Sequence, residues 1–122
     1  MTVADDALLS PNDVVRKLLG FGRDLDAAVR MLKDADLDAT KKRHAADIAE
    51  SHAFLAAEGS MEIRKHEARI TCEKVEDEAL VAEATVRYLK AKIKSLEQQI
   101  EIGRSYGVVV REELKLAGYQ ES

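Results

Sequence analysis

The longest regularity in the chain is a stripe that begins at Cys72 and ends at Ala117. Alternating steps of three and four residues land on Cys72, Val75, Ala79, Ala82, Val86, Leu89, Ile93, Leu96, Ile100, Gly103, Gly107, Val110, Leu114 and Ala117, all apolar or small. That alternation is the a/d seam of a left-handed coiled coil. The positions between carry Glu73, Lys74, Glu76, Asp77, Arg87, Lys90, Lys92, Lys94 and Glu97, as a solvated helix face requires.

The N-terminal half carries a second stripe: Val15, Leu18, Gly22, Leu25, Val29 and Leu32. The next slot is Asp36, so the stripe resumes one residue late, at Leu37, and continues through Lys41, His44, Ile48 and Leu55. Such a shift relaxes supercoiling locally, and a short break over residues 36–40 is the alternative. Gly20 and Gly22 each cost roughly 1 kcal/mol against Ala inside a helix. They predict either a weak, bent turn or a close helix approach at Gly22, which lies on the stripe.

Punctuation sets the element boundaries. Ser10-Pro11-Asn12-Asp13 predicts a helix start: Ser10 can cap, Pro11 suits the first helical position, and Asp13 meets the positive end of the dipole. The preceding residues 1–9 predict a flexible tail, and residues 10–122 a single helical oligomerisation domain. Gly59 predicts a helix end and Ser60 the cap of the next helix. A connection this short makes antiparallel neighbours. It sets Lys41, Lys42 and Arg43 opposite Glu76, Asp77 and Glu78, and Asp24 and Asp26 opposite Lys92 to Lys94. Gly103, Gly107 and the β-branched Val108 to Val110 lower helix propensity, predicting a kink or break before Arg111, with Gly118 as the end.

The expected fold is therefore all-α: a long antiparallel hairpin with a coiled-coil seam and a kinked or broken C-terminal helix. At about 1.5 Å per residue the second helix alone could exceed 60 Å. Two such helices cannot cover every apolar stripe, since Leu80, Val81, Ala84, Ala91 and Ile102 lie off the seam. Homo-oligomerisation is expected, through Val86, Leu89, Ile93, Leu96, Ile100, Gly103, Gly107, Val110 and Leu114.

Composition agrees with long helices. The 122 residues include no Trp, 2 Phe, 3 Tyr and 1 Pro. The net charge of −4 supplies no global field toward polyanions, so any such site must be a local patch. One cysteine excludes an internal disulfide and fits a reducing compartment. The acidic N-terminus does not read as a signal or transit peptide, and no apolar run suits a membrane span. A cytoplasmic protein without membrane contact is expected.

The sequence shows no arrangement for catalysis. Gly20-Phe21-Gly22 lacks both the strand and the Lys-Ser/Thr of a phosphate loop. His44, His52, His66 and Cys72 lack metal-ligand spacing. No cofactor is expected, and Cys72 reads as a small seam residue. The basic residues are more informative. Arg87, Lys90 and Lys94 share one helical face, with Lys92 beside them. Arg64, Lys65, His66 and Arg69 follow the turn, and Arg104, Arg111 and Lys115 continue the positive charge. On one protomer such residues are ordinarily a solvated face. Repeated around the axis of a ring, weak phosphate contacts add. Tyr88 and Tyr106 are the candidate stacking aromatics.

In pattern, residues 45–118 resemble the UvsY-type recombination mediators of bacteriophages, small helical proteins that load a recombinase onto single-stranded DNA coated by its binding protein. The resemblance rests on Tyr88, on Ile93, Leu96 and Ile100 at helical spacing, on Arg104-Ser105-Tyr106-Gly107-Val108-Val109-Val110, on Ala117-Gly118, and on Phe54-Leu55 before a charged helix. The run from Phe54 to Ser60 is also similar to the Phe-Leu-x-x-Glu-Gly-Ser turn of small helical proteins from actinobacterial phages. One position departs: Asp77-Glu78-Ala79 stands where the family carries a Lys-x-Arg motif implicated in DNA binding. The resemblance implies a non-enzymatic recombination accessory that binds itself, single-stranded DNA, and a recombinase or single-strand-binding protein. The DNA contacts would then fall to Arg64, Lys65, Arg69, Arg87, Lys90, Lys94 and Arg104. The alternative is a phage scaffold, adaptor or host-protein-binding coiled coil without DNA affinity, which the acidic net charge favours.

Overall fold

The computed structural model describes residues 10–118, so the tail expected over residues 1–9 lies outside the described residues. Among the described residues the structure is all-helical: α1 spans Pro11–Ala56, α2 Met61–Thr71 and α3 Glu73–Leu116. At the start of α1 the Ser10 and Asp13 side chains bond reciprocally to each other's backbone. The Asp13 N–H donates to Ser10 Oγ at 3.2 Å and the Ser10 N–H to Asp13 Oδ2 at 3.1 Å. This capping box satisfies two N–H groups that the helix cannot. Gly59 takes φ of 111°, a left-handed conformation open to glycine, and Ser60 Oγ accepts the Ile63 N–H at 3.3 Å to start α2. At the far end Gly118 takes φ of 75° and returns its N–H to the Lys115 carbonyl at 2.9 Å.

The described residues divide into two compact units. One comprises residues 10–29 with 92–118, the other Arg30–Ala91. In the second unit Ala39, Ala82 and Val86 form a buried cluster with Leu32 and Ala35 packed against it. In the first unit α1 approaches α3 at two glycines. A Cβ on Gly103 would lie 2.7 Å from Leu18 Cδ2, and one on Gly107 3.4 Å from Val14 Cγ1.

The stripe on α3 is where the sequence places it, but it faces inward. Cys72, Ala79, Ala82, Val86, Leu89 and Leu96 are buried within the chain. Ile93, Ile100, Gly103, Gly107, Val110 and Leu114 are partly buried. Of the residues expected to join copies of the protein, Val86 packs in the Ala39 cluster, and Gly103 and Gly107 lie against Leu18 and Val14.

The α1 stripe is corrected. Val15, Val29, Leu37, Lys41, His44, Ile48 and Leu55 are exposed, Leu37 at 58% and Leu55 at 72%. The covered positions are Val14, Leu18, Phe21, Leu25, Ala28, Leu32, Ala35, Ala39, Ala46, Ala49 and Ala53. They keep their alternation past Asp36, which is exposed, so neither a shift nor a break occurs there. The physical reason is alanine. A methyl group carries little hydrophobic signal, yet small side chains let two backbones pack closely, and the large aliphatics one position away stay outside.

Two further expectations change. The C-terminal helix does not break into segments at Gly103–Gly107, since α3 is continuous to Leu116. Contact with Leu18 and Val14 offsets the propensity cost of the glycines. The interruption falls instead at Cys72, where φ is −101° and ψ 13°. Hydrogen bonds from the Cys72 N–H to the Ala68 carbonyl at 3.0 Å and from the Glu76 N–H to the Cys72 carbonyl at 2.9 Å carry the helical pattern across it. Of the two readings offered for Gly20 and Gly22, close approach at Gly22 does not hold, since an added Cβ there, as at Gly20, meets nothing within 4 Å.

Gly20→Ala should therefore raise stability by about 1 kcal/mol, the helix-propensity difference. Gly103→Ala should gain less, because Leu18 must move to admit the methyl group. Urea unfolding of the two variants checks this, and an equal or larger gain for Gly103→Ala would contradict the packing.

Candidate nucleic-acid interface

The cations fall into two groups according to whether the chain already uses them. Arg43 is the most committed. Its Nη1 donates to Glu76 Oε1 and Oε2 at 2.9 and 2.6 Å, while Nε and Nη2 donate to Glu83 Oε2 and Oε1 at 3.1 and 2.8 Å. A planar guanidinium forked between two carboxylates of the facing helix fixes register as well as attraction. The hydrogen bonds that Arg43 donates to Glu83 and then to Glu76 raise its pKa, and they hold the Glu83 carboxyl below its ordinary 4.5. The expected Arg43–Glu76 pairing is present; Lys42 instead pairs with Asp38 on its own helix at 3.1 Å. No ion pair joins Asp24 or Asp26 to Lys92 or Lys94 among the described residues.

Arg64, expected to contact DNA, belongs to the turn. Its Nε and Nη2 both donate to the Phe54 carbonyl at 3.2 Å, and its guanidinium lies 4.4 Å from the centre of the Phe54 ring. The Phe54 carbonyl is one of the last of α1, so Arg64 supplies a donor where the helix has none, at the negative end of its dipole. The sequence signal was a cation a few residues after a helix-ending glycine, with an aromatic the same distance before it. Lys65 and Arg69 line a surface groove with Asp47, Glu50, Ser51 and Phe54, so carboxylates temper their charge. Arg104 donates to Glu101 Oε1 at 2.9 Å on the same helix.

Arg87, Lys90 and Lys94 remain. All three are exposed on α3 and make no hydrogen bond or ion pair among the described residues. Lys92 is exposed in the same way. Tyr88, 62% exposed, stands beside Arg87. The field of Arg87 reaches Glu83 and helps depress its pKa, after the larger effect of Arg43. Spacings of three and four residues hold Arg87, Lys90 and Lys94 to one side of the helix. Cations of this kind can follow a phosphate backbone. Among the described residues no group of three metal-ligating side chains occurs, and no helix is long and apolar enough to cross a membrane.

No family model, curated protein or solved structure matches this chain.

The Arg43–Glu83 pair makes a pH prediction. A carboxyl whose folded pKa is depressed stabilises the fold above its unfolded pKa, and loses that effect as pH falls through the folded value. At pH 7 the wild type should therefore resist urea better than Glu83→Gln. The difference should shrink below the ordinary 4.5 and disappear once Glu83 is protonated in both states. A difference that persists unchanged at pH 2 would mean that the ion pair contributes nothing.

Proposed function

We propose that the chain is an antiparallel helical hairpin, turning at Gly59–Ser60, that self-associates and binds single-stranded DNA, acting by binding rather than by catalysis. The role that fits is that of a phage-type recombination accessory assisting recombinase loading, as the resemblance to UvsY-type mediators implies. The hairpin is supported in each unit by itself: partners on α2 and α3 fall in number as those on α1 rise. Phe54 meets Arg64, Arg43 meets Glu76 and Glu83, and Ala39 meets Ala82 and Val86. In the other unit Leu18 meets Gly103 and Val14 meets Gly107.

The observation that carries DNA binding is the set of exposed cations Arg87, Lys90 and Lys94, none of them in a hydrogen bond or ion pair among the described residues. A cation paired with a carboxylate has less charge to offer a phosphate; Lys90 and Lys94 have no such partner, and Arg87 is drawn on only through its field at Glu83. Self-association is supported by the large aliphatics left outside, Leu19, Leu37, Leu55, Ile70, Val81 and Ile102 among them. The same apolar exposure, taken with the net charge of −4, favours the second reading, a scaffold or adaptor that binds proteins alone.

Titration of a labelled single strand at two salt concentrations separates the readings. Log affinity should fall with log salt by about 0.7 per phosphate contact, with little dependence on sequence. Reversal of Arg87, Lys90 and Lys94 to Glu should weaken binding and flatten the slope while leaving the helical circular dichroism unchanged. Absence of affinity at low salt in the wild type would establish the adaptor reading in its place.

A further inference from the structure

The first unit carries an apolar face that borders the hairpin contact and lies away from the cationic face. Between the helices runs a groove of about 270 Å³, lined by Val14, Leu18 and Phe21 of α1 and by Ile102, Gly103 and Tyr106 of α3, with Lys17 and Gln99 at its rim. On the α3 side this face continues through Val109 and Leu116, seven and fourteen residues beyond Ile102, and all three are exposed, Ile102 at 69%. Exposed aliphatics seven residues apart lie along one side of a helix, where a second helix can cover them.

The charges on this face decide which helix. Gln99 and Tyr106 line the groove, so Lys92 and Glu113, each seven residues further out, lie on the same side of α3. Both are exposed, and neither side chain has a hydrogen bond or ion pair among the described residues. They flank Ile102 almost evenly, Lys92 ten residues before it and Glu113 eleven after. A second α3 laid antiparallel across a two-fold axis at Ile102 brings each Lys92 to the Glu113 of the other copy, sets Ser95 against Val109, and places Ile102 on Ile102. A parallel pair would set Lys92 on Lys92 and Glu113 on Glu113. The face is self-complementary in one orientation only.

We propose that residues 92–116 of α3 form an isologous, antiparallel interface with a second copy of this chain, centred on Ile102 and bounded by reciprocal Lys92–Glu113 pairs. The contact extends over about 35 Å of helix. It rests on the self-association reading above and names its surface, which is distinct from the inward seam and from the Arg87 face.

Cysteine cross-linking in a Cys72→Ser background tests it. Ile102→Cys should form a disulfide-linked dimer under mild oxidation. Val108→Cys, off this face, should not. Ser95→Cys and Val109→Cys should link to each other when mixed but not to themselves, because the helices are antiparallel. Lys92→Glu should weaken association roughly tenfold at low salt, from two lost ion pairs and two new repulsions, and Lys92→Glu/Glu113→Lys should restore it. A wild type that self-associates by gel filtration while Ile102→Cys remains unlinked overturns this interface and leaves the self-association reading standing. Self-links of both Ser95→Cys and Val109→Cys overturn the antiparallel register. A wild type that elutes as a monomer and links nowhere overturns both the interface and the self-association reading.

Discussion

Everything in this fold follows from how closely the helices pack. The contact is rich in small side chains, Ala39, Ala82, Ala79 and Cys72 in one unit and Gly103 and Gly107 in the other, with a few large ones such as Val86, Leu89 and Leu96 beside them. Each buried methyl or methylene contributes about 0.8 kcal/mol, against about 1.5–3 kcal/mol for a large aliphatic side chain. A seam built this way is close but thin. Its register therefore depends on polar devices, the Arg43 fork between Glu76 and Glu83 and the Arg64 contact with Phe54.

The thin seam has a second consequence. Side chains that would ordinarily fill a core stay outside, and Val15, Leu19, Val29, Leu37 and Ile48 on α1 are exposed among the described residues. The proposed self-association rests on these side chains, and under that proposal the exposed cations recur on every copy.

Much of this was legible in the sequence. The caps at Ser10 and Ser60, the turn at Gly59, the end at Gly118 and the whole α3 stripe could be read from residue type and spacing. The α1 face could not, because its covered positions are mostly alanine while valine, leucine and isoleucine stand beside them. Hydrophobic periodicity follows the larger residues and so selects the outer face. Gly103 and Gly107 misled for a related reason: propensity sees their cost, whereas the Leu18 and Val14 contacts that offset it come from far along the chain. Among the cations, spacing grouped Arg64 with Lys65 and Arg69, and only the fold separates a turn residue from free ones.

Sedimentation equilibrium of the wild-type chain across the micromolar range tests the central claim most directly. With its large aliphatics outside a thin seam, the protein should sediment as a multiple of 13.5 kDa, and dissociation on dilution should be accompanied by loss of helical signal. A species of 13.5 kDa that stays fully helical and cooperatively folded at every concentration would contradict it, since the small-residue seam would then suffice alone.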